Sequence, residues 1–136
     1  MSDLTQAPTT LSNIATMMFS VADVDAAISF YTEKLGFELR ADVAFGEGGA
    51  HRWVEVAPPG SVARLALNPP MDGEPGGSAI GVETQDIVAE HARLAALGLE
   101  VGPPPSDAMP GAPRLFPVAD PDGNHVWIVE APPREG

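Results

Sequence analysis

Not one cysteine occurs in the 136 residues, which excludes disulfides, thiolate metal sites and cysteine nucleophiles together. Positive charge is scarce too, with 7 Lys plus Arg against 19 Asp plus Glu for a formal net charge of -12. A chain so acidic repels nucleic acid and anionic membranes, so neither is expected as a partner, and small cations are drawn in. The blander meaning of the acidity is solubility alone. No apolar run reaches the length of a membrane span, and the start, Met1-Ser2-Asp3-Leu4, lacks the cationic patch and apolar stretch of a signal peptide. A soluble cytoplasmic protein is expected. Also missing are a Ser/His/Asp spacing, a phosphate-binding glycine loop and a nucleotide fingerprint.

What is present suits one domain, since a chain of this length buries roughly two-thirds of the surface it exposes when unfolded. Proline (15) and glycine (14) gather between apolar segments and mark loops. The pattern is written twice. Asp23-Val24 leads into Ala27, Ile28, Tyr31 and Leu35 at helical spacing and stops at Gly36-Phe37-Glu38; Asp86-Ile87 leads into Glu90/His91, Leu94 and Leu97 and stops at Gly98-Leu99-Glu100. In both, an aspartate caps the free N–H groups of the first turn and a glycine supplies the left-handed residue that ends the helix.

Period-two segments flank each helix. The first half predicts a strand over 13–21, a helix over 24–35 and strands over 37–45, 51–57 and 62–68; the second predicts 78–84, a helix over 87–97, then 99–102, 113–118 and 124–130. The fold class is therefore α+β, two βαβββ modules. Residues 1–12 are expected as a flexible N-terminal segment, 13–131 as a single domain with module one over 13–70 and module two over 77–131, and 132–136 as a tail. The proline-rich stretch over 103–113 is a long loop, mobile or a lid.

The opening Val21-Ala-Asp-Val-Asp-Ala-Ala-Ile-Ser-Phe-Tyr-Thr-Glu-Lys-Leu-Gly-Phe37 and the closing turn Asp120-Pro-Asp-Gly-Asn124, together with the duplication, resemble the vicinal oxygen chelate superfamily: the glyoxalase, bleomycin-resistance and extradiol dioxygenase group. The resemblance spans 13 to 130. It implies curved sheets around a cavity, each with its own helix on the convex side, and assembly as a homodimer. Alternation then sends Thr16, Met18, Ser20, Arg64, Ala66, Asn68, Ala79, Gly81, Glu83, His125, Trp127 and Val129 inward.

Metal-dependent relatives carry His, Glu, His and Glu on these strands, and the motif spacing carries those positions onto Thr16, Ala66, Ala79 and Trp127. One hydroxyl cannot replace two imidazoles and two carboxylates, so a member without the usual metal ligands is expected, with no cofactor. A displaced set, His51, Glu83 and His125, has no tight spacing behind it. His91 lies at the edge of a helix stripe, a half-buried helix residue. Trp127, with help from Trp53, either stacks a planar or cationic ligand or plugs the cavity as core. Arg64 and Glu83 either pair with each other or hold ligand. Asn68 and Thr16 either orient it or satisfy nearby backbone.

The ligand-binding candidates are thus Thr16, Met18, Arg64, Asn68, Glu83, His125 and Trp127, and the candidates for acid–base catalysis are His125 and Glu83. The resemblance implies a metal-independent binding protein for an aromatic or cationic antibiotic or metabolite. The alternative is a glyoxalase-like lyase, isomerase or dioxygenase using a displaced metal or His125/Glu83.

Overall fold

The computed structural model describes residues 8–70, 73–105 and 112–132. The expected mobile or lid loop over 103–113, the N-terminal segment and the C-terminal tail fall largely outside the described residues. Asp23 is extended (φ -133) and its Oδ1 accepts from Ala26 N, opening helix α1 (Val24–Ser29). The helix runs on into a π-helical turn over Phe30–Lys34, where Leu35 N donates to Phe30 O. Gly36, at φ 82, then turns the chain so that Phe37 N reaches Tyr31 O. Helix α2 (Ile87–Ala96) is built alike: Asp86 Oδ1 accepts from Ala89 N, and Gly98 at φ 79 ends it.

Strands β1 (Thr16–Ser20), β2 (Glu38–Phe45), β3 (His51–Ala57) and β4 (Arg64–Asn68) form one sheet in the order β1-β4-β3-β2. Strands β5 (Ala79–Thr84), β6 (Leu115–Ala119) and β7 (His125–Glu130) form a second in the order β5-β7-β6. The first and last strand of each module run parallel, β1 with β4 and β5 with β7, and the remaining pairs are antiparallel. These are the two expected modules with one correction. The strand over 99–102 shrinks to a single bridge, Val101 to Val118, flanked by Ala119 N to Glu100 O and Gly102 N to Pro117 O. Pro103, Pro104 and Pro105 follow at once and have no N–H with which to continue the ladder.

The helix-facing sides of both sheets supply one core. Phe19, Val21, Val56, Leu65 and Leu67 of module one join Ile87, Leu94, Phe116, Val118 and Val126 of module two in a single buried cluster. The Asp120-Pro-Asp-Gly-Asn turn locks the modules together. Asp120 is 6% exposed, and its carboxylate accepts from Asp122 N, Asn124 N, Asn124 Nδ2 and, at 2.9 Å, the Tyr31 hydroxyl of the first helix. Asn124 also reaches Ser20 O and accepts from Ser78 N, while Asp122 Oδ1 accepts from Ala22 N. A Cβ at Gly76, which sits at φ 90, would collide with the Asp122 carbonyl, so only glycine lets the linker pass.

Burial and the neighbouring Asp120 carboxylate push the Tyr31 phenol well above its ordinary 10.0. Below that value both folded and unfolded chains keep the proton; above it only the unfolded chain ionises, so stability falls as pH rises. Tyr31→Phe is expected to cost about 1–3 kcal/mol in urea unfolding at neutral pH, because a buried carboxylate loses a donor. From about pH 9 to 11 the variant should lose less stability than the parent chain. Parallel pH profiles would remove the phenol from this linkage.

Candidate functional site

Register fixes which side chains share the faces turned away from the helices. In module one the rows across the sheet are Thr16–Arg64, then Met18–Ala66–Glu55–Ala41, with Trp53 facing Val43 beyond. Asn68 pairs with Ser20 at the same end. In module two the rows are Ala79–His125–Ala119, Gly81–Trp127–Pro117 and Glu83–Val129–Leu115. These inner faces are open: Met18 is 62% exposed, Val43 55%, Phe45 48%, Leu115 44% and Trp127 36%.

The module-one face carries a pocket of about 680 Å³ lined by Met18, Val24, Phe45, Ala50, His51, Arg52, Trp53, Asn68, Pro69 and Pro70. Its walls are almost wholly apolar. The Phe45 and His51 rings lie 5.2 Å apart between centroids and form one flank. At the rim, Arg52 is held by Asp42, at 2.7 and 2.8 Å, and by Asp25 at 2.9 Å. The hydrogen bonds from Arg52 hold the Asp42 carboxyl below its ordinary value, and those to Asp42 and Asp25 raise the guanidinium's. The rim charges are therefore mutually engaged, and the pocket itself is left to aromatic and aliphatic contact.

The residues singled out from the sequence are divided among three places. Met18 and Asn68 line the module-one pocket, and Trp53, first read as an accessory, is its largest aromatic wall. Thr16 Oγ1 donates to Met17 O at 3.2 Å, satisfying backbone. Arg64 and Glu83 both line a second cavity of about 360 Å³ between the modules, but the Arg64 guanidinium faces Glu55, with Nε 3.5 Å from Oε1. The expected Arg64–Glu83 pair is thus replaced by a pair within module one, because Glu55 lies in the row next to Arg64 on the same face.

His125 and Trp127 stand exposed on the module-two face. His125 pairs with Ala79 and Glu83 with Val129, four residues further along the ladder, so the two side chains are about 13 Å apart and exchange no proton directly within one chain. His91 Nε2 lies 2.9 Å from Gly102 O, and its ring meets Phe116 edge-on at 4.8 Å. Glu55, Phe45 and His51 were not assigned to the binding face from the sequence. The signal was there in β3, where His51, Trp53 and Glu55 alternate against core Val54 and Val56. In β2 a register shift between Leu39 and Ala41 hides it.

The family model described as "Glyoxalase/Bleomycin resistance protein/Dioxygenase superfamily" matches residues 13–128. The chain belongs to this superfamily. Among solved structures, a superfamily member from Sphaerobacter thermophilus is 31% identical, with 90% of this chain and all of that one covered at a TM-score of 0.80. TnmS3, described as an antibiotic binding protein from Streptomyces sp. CB03234, is 30% identical, with 92% and 100% covered and a TM-score of 0.79. The Bacillus subtilis protein YetH is 33% identical over 123 residues, 88% of this chain and 99% of that one.

The superfamily's metal-dependent members raise a question of fit. The corresponding positions here are a threonine hydroxyl, two methyl groups and an indole, with Thr16 and Ala66 on one face and Ala79 and Trp127 on the other. Ala66 is fully buried between Met18 and Glu55. That set does not fit a divalent cation. Among the described residues no group of three or more His, Asp or Glu side chains comes together, and His51 lies in the first sheet whereas Glu83 and His125 lie in the second. Zinc, nickel, manganese or iron added to the chelator-washed chain should leave its melting temperature unchanged. A rise that grows with metal concentration and vanishes in His125→Ala would contradict this.

Proposed function

We propose that the protein is a metal-independent binding protein for an aromatic small molecule, which it holds against the inner face of module one. The observation that carries this reading is the pocket of about 680 Å³ walled by Phe45, Trp53, Met18 and a proline pair, large enough for a drug-sized planar ligand. Flat rings stack on indole and phenyl faces, and Asn68 at the edge supplies a hydrogen bond that fixes orientation. Support also comes from the relative described as an antibiotic binding protein, which shares the fold along nearly the whole chain. Sequestration of an aromatic antibiotic or metabolite is the corresponding role. Acid–base catalysis by His125 and Glu83 has no comparable support, since the two are separated along the ladder and neither lines the aromatic pocket.

The reading includes a homodimer. Met18, Val43 and Phe45 on one inner face and Leu115 and Trp127 on the other are too exposed to be a finished surface. A two-fold partner laying its module-two face over the module-one pocket covers both patches. Only there do Met18 and Asn68 of one copy meet His125 and Trp127 of the other, with Trp127 closing over the ligand.

Calorimetric titration with a panel of planar aromatic compounds should find micromolar ligands or tighter. Trp53→Ala is expected to weaken them about tenfold, the loss of about 1.4 kcal/mol of stacking and burial. Equal affinity in that variant would remove Trp53 from the site. Light scattering should give twice the 14.1 kDa chain mass. A monomer at micromolar concentration would overturn the dimer.

A further inference from the structure

The floor of the module-one face holds a polar pair that neither the core nor the aromatic pocket uses. Glu55 is 7% exposed, yet its carboxylate accepts no hydrogen bond among the described residues. The opposite charge paired with it is Arg64, whose Nε lies 3.5 Å from Oε1, a long contact that makes no hydrogen bond. That Nε is itself buried and without a partner. A buried donor without a partner therefore faces a mostly buried carboxylate that accepts no hydrogen bond, and a buried donor left unmet costs free energy.

Placement says what the bridge belongs to. Glu55 shares its row with Met18, which lines the aromatic pocket, and Trp53, two residues back on the same strand and face, is that pocket's main wall. Its neighbours in the row are Ala41 and Ala66, with Ala57 two residues on, so the small side chains lie on these sides of it. The pair is formally neutral. A cation drawn to Glu55 would meet the Arg64 guanidinium, and an anion drawn to Arg64 would meet the Glu55 carboxylate. A neutral group that both donates and accepts suffers neither conflict.

We propose that Glu55 and Arg64 form a polar anchor for a hydroxyl group on the aromatic ligand, the hydroxyl donating to the Glu55 carboxylate and accepting from the half-exposed Arg64 guanidinium. The inference rests on the binding reading above and narrows its ligand class to phenols and hydroxylated aromatics. Glu55 and Arg64 then set specificity: a ligand without the hydroxyl covers the Glu55 carboxylate and gives it no donor, and hydrogen bonds to charged groups are the strong ones.

The test compares 2-naphthol with naphthalene, two probes of nearly equal shape, by calorimetry on the full chain. The parent chain should bind 2-naphthol at least about tenfold more tightly, the worth of one hydrogen bond to a charged group. In Glu55→Gln the ratio should fall several-fold. The paired variant Glu55→Met/Arg64→Met replaces both partners with apolar chains of similar length, so it should fold and bind the two probes alike; melting curves check the fold. If naphthalene binds and the ratio is unchanged in both variants, the anchor is refuted and the binding reading stands. Should neither probe nor any other planar aromatic bind the parent chain, both fall.

Discussion

A single buried carboxylate, Asp120, determines how the two halves of this protein sit. It has no cation beside it among the described residues, and four donors surround it instead: two backbone amides of its own turn, the Asn124 amide and the Tyr31 hydroxyl. Donors to both oxygens offset the cost of withdrawing this carboxyl from water. The donors come from opposite modules. The turn before β7 is therefore fastened to the first helix and, through Asn124, to the end of β1 and the start of β5. With the modules joined at that point, their helix-bearing sides share one core and their other faces are left uncovered.

Among the described residues, the open faces carry few groups that could hold a metal ion. Where imidazoles and carboxylates stand in metal-dependent relatives, this chain has small or aromatic side chains, and Ala41, Ala66, Ala79, Gly81 and Ala119 keep the strands' inner surfaces shallow. The sheet curvature that shapes a cavity comes from backbone and core packing, so it survives the loss of the ligands. The module-one pocket is walled by Trp53 and Phe45, the side chains on which the binding reading proposed above rests.

The fold was legible because its signals are local. Capping aspartates, stop glycines and alternation in β1, β4, β5 and β7 each declare themselves within a few residues, and their repetition declares the modules. What escaped is what depends on distant partners. Nothing within a short window says that Tyr31 will donate to a residue 89 positions away. Nor does it say that Arg64 will turn to Glu55 and away from Glu83, since that choice follows from strand order, β4 lying beside β3. The strand at 99–102 was apolar enough to form, but the prolines after it removed the donors a ladder requires. The pocket was half visible: Met18 and Asn68 follow from clean alternation, whereas Phe45 lies beyond a bulge that resets the phase of β2.

Charge acts here on two length scales, and they point to different ligands. The net charge of -12 gives the molecule a long-range pull on cations. At about 8 Å, the Debye length at physiological salt, that pull is already screened, and local pairing takes over. Locally the charges are largely paired: Arg52 is shared by Asp42 and Asp25, which leaves one negative charge over at the rim, and Arg64 stands against Glu55 on the floor. A cationic group reaching the pocket would meet carboxylates already engaged by guanidinium groups. On the reading proposed above, selection then rests on stacking against the aromatic walls and on hydrogen bonding at Glu55 and Arg64, while the acidic exterior acts on the ligand's approach.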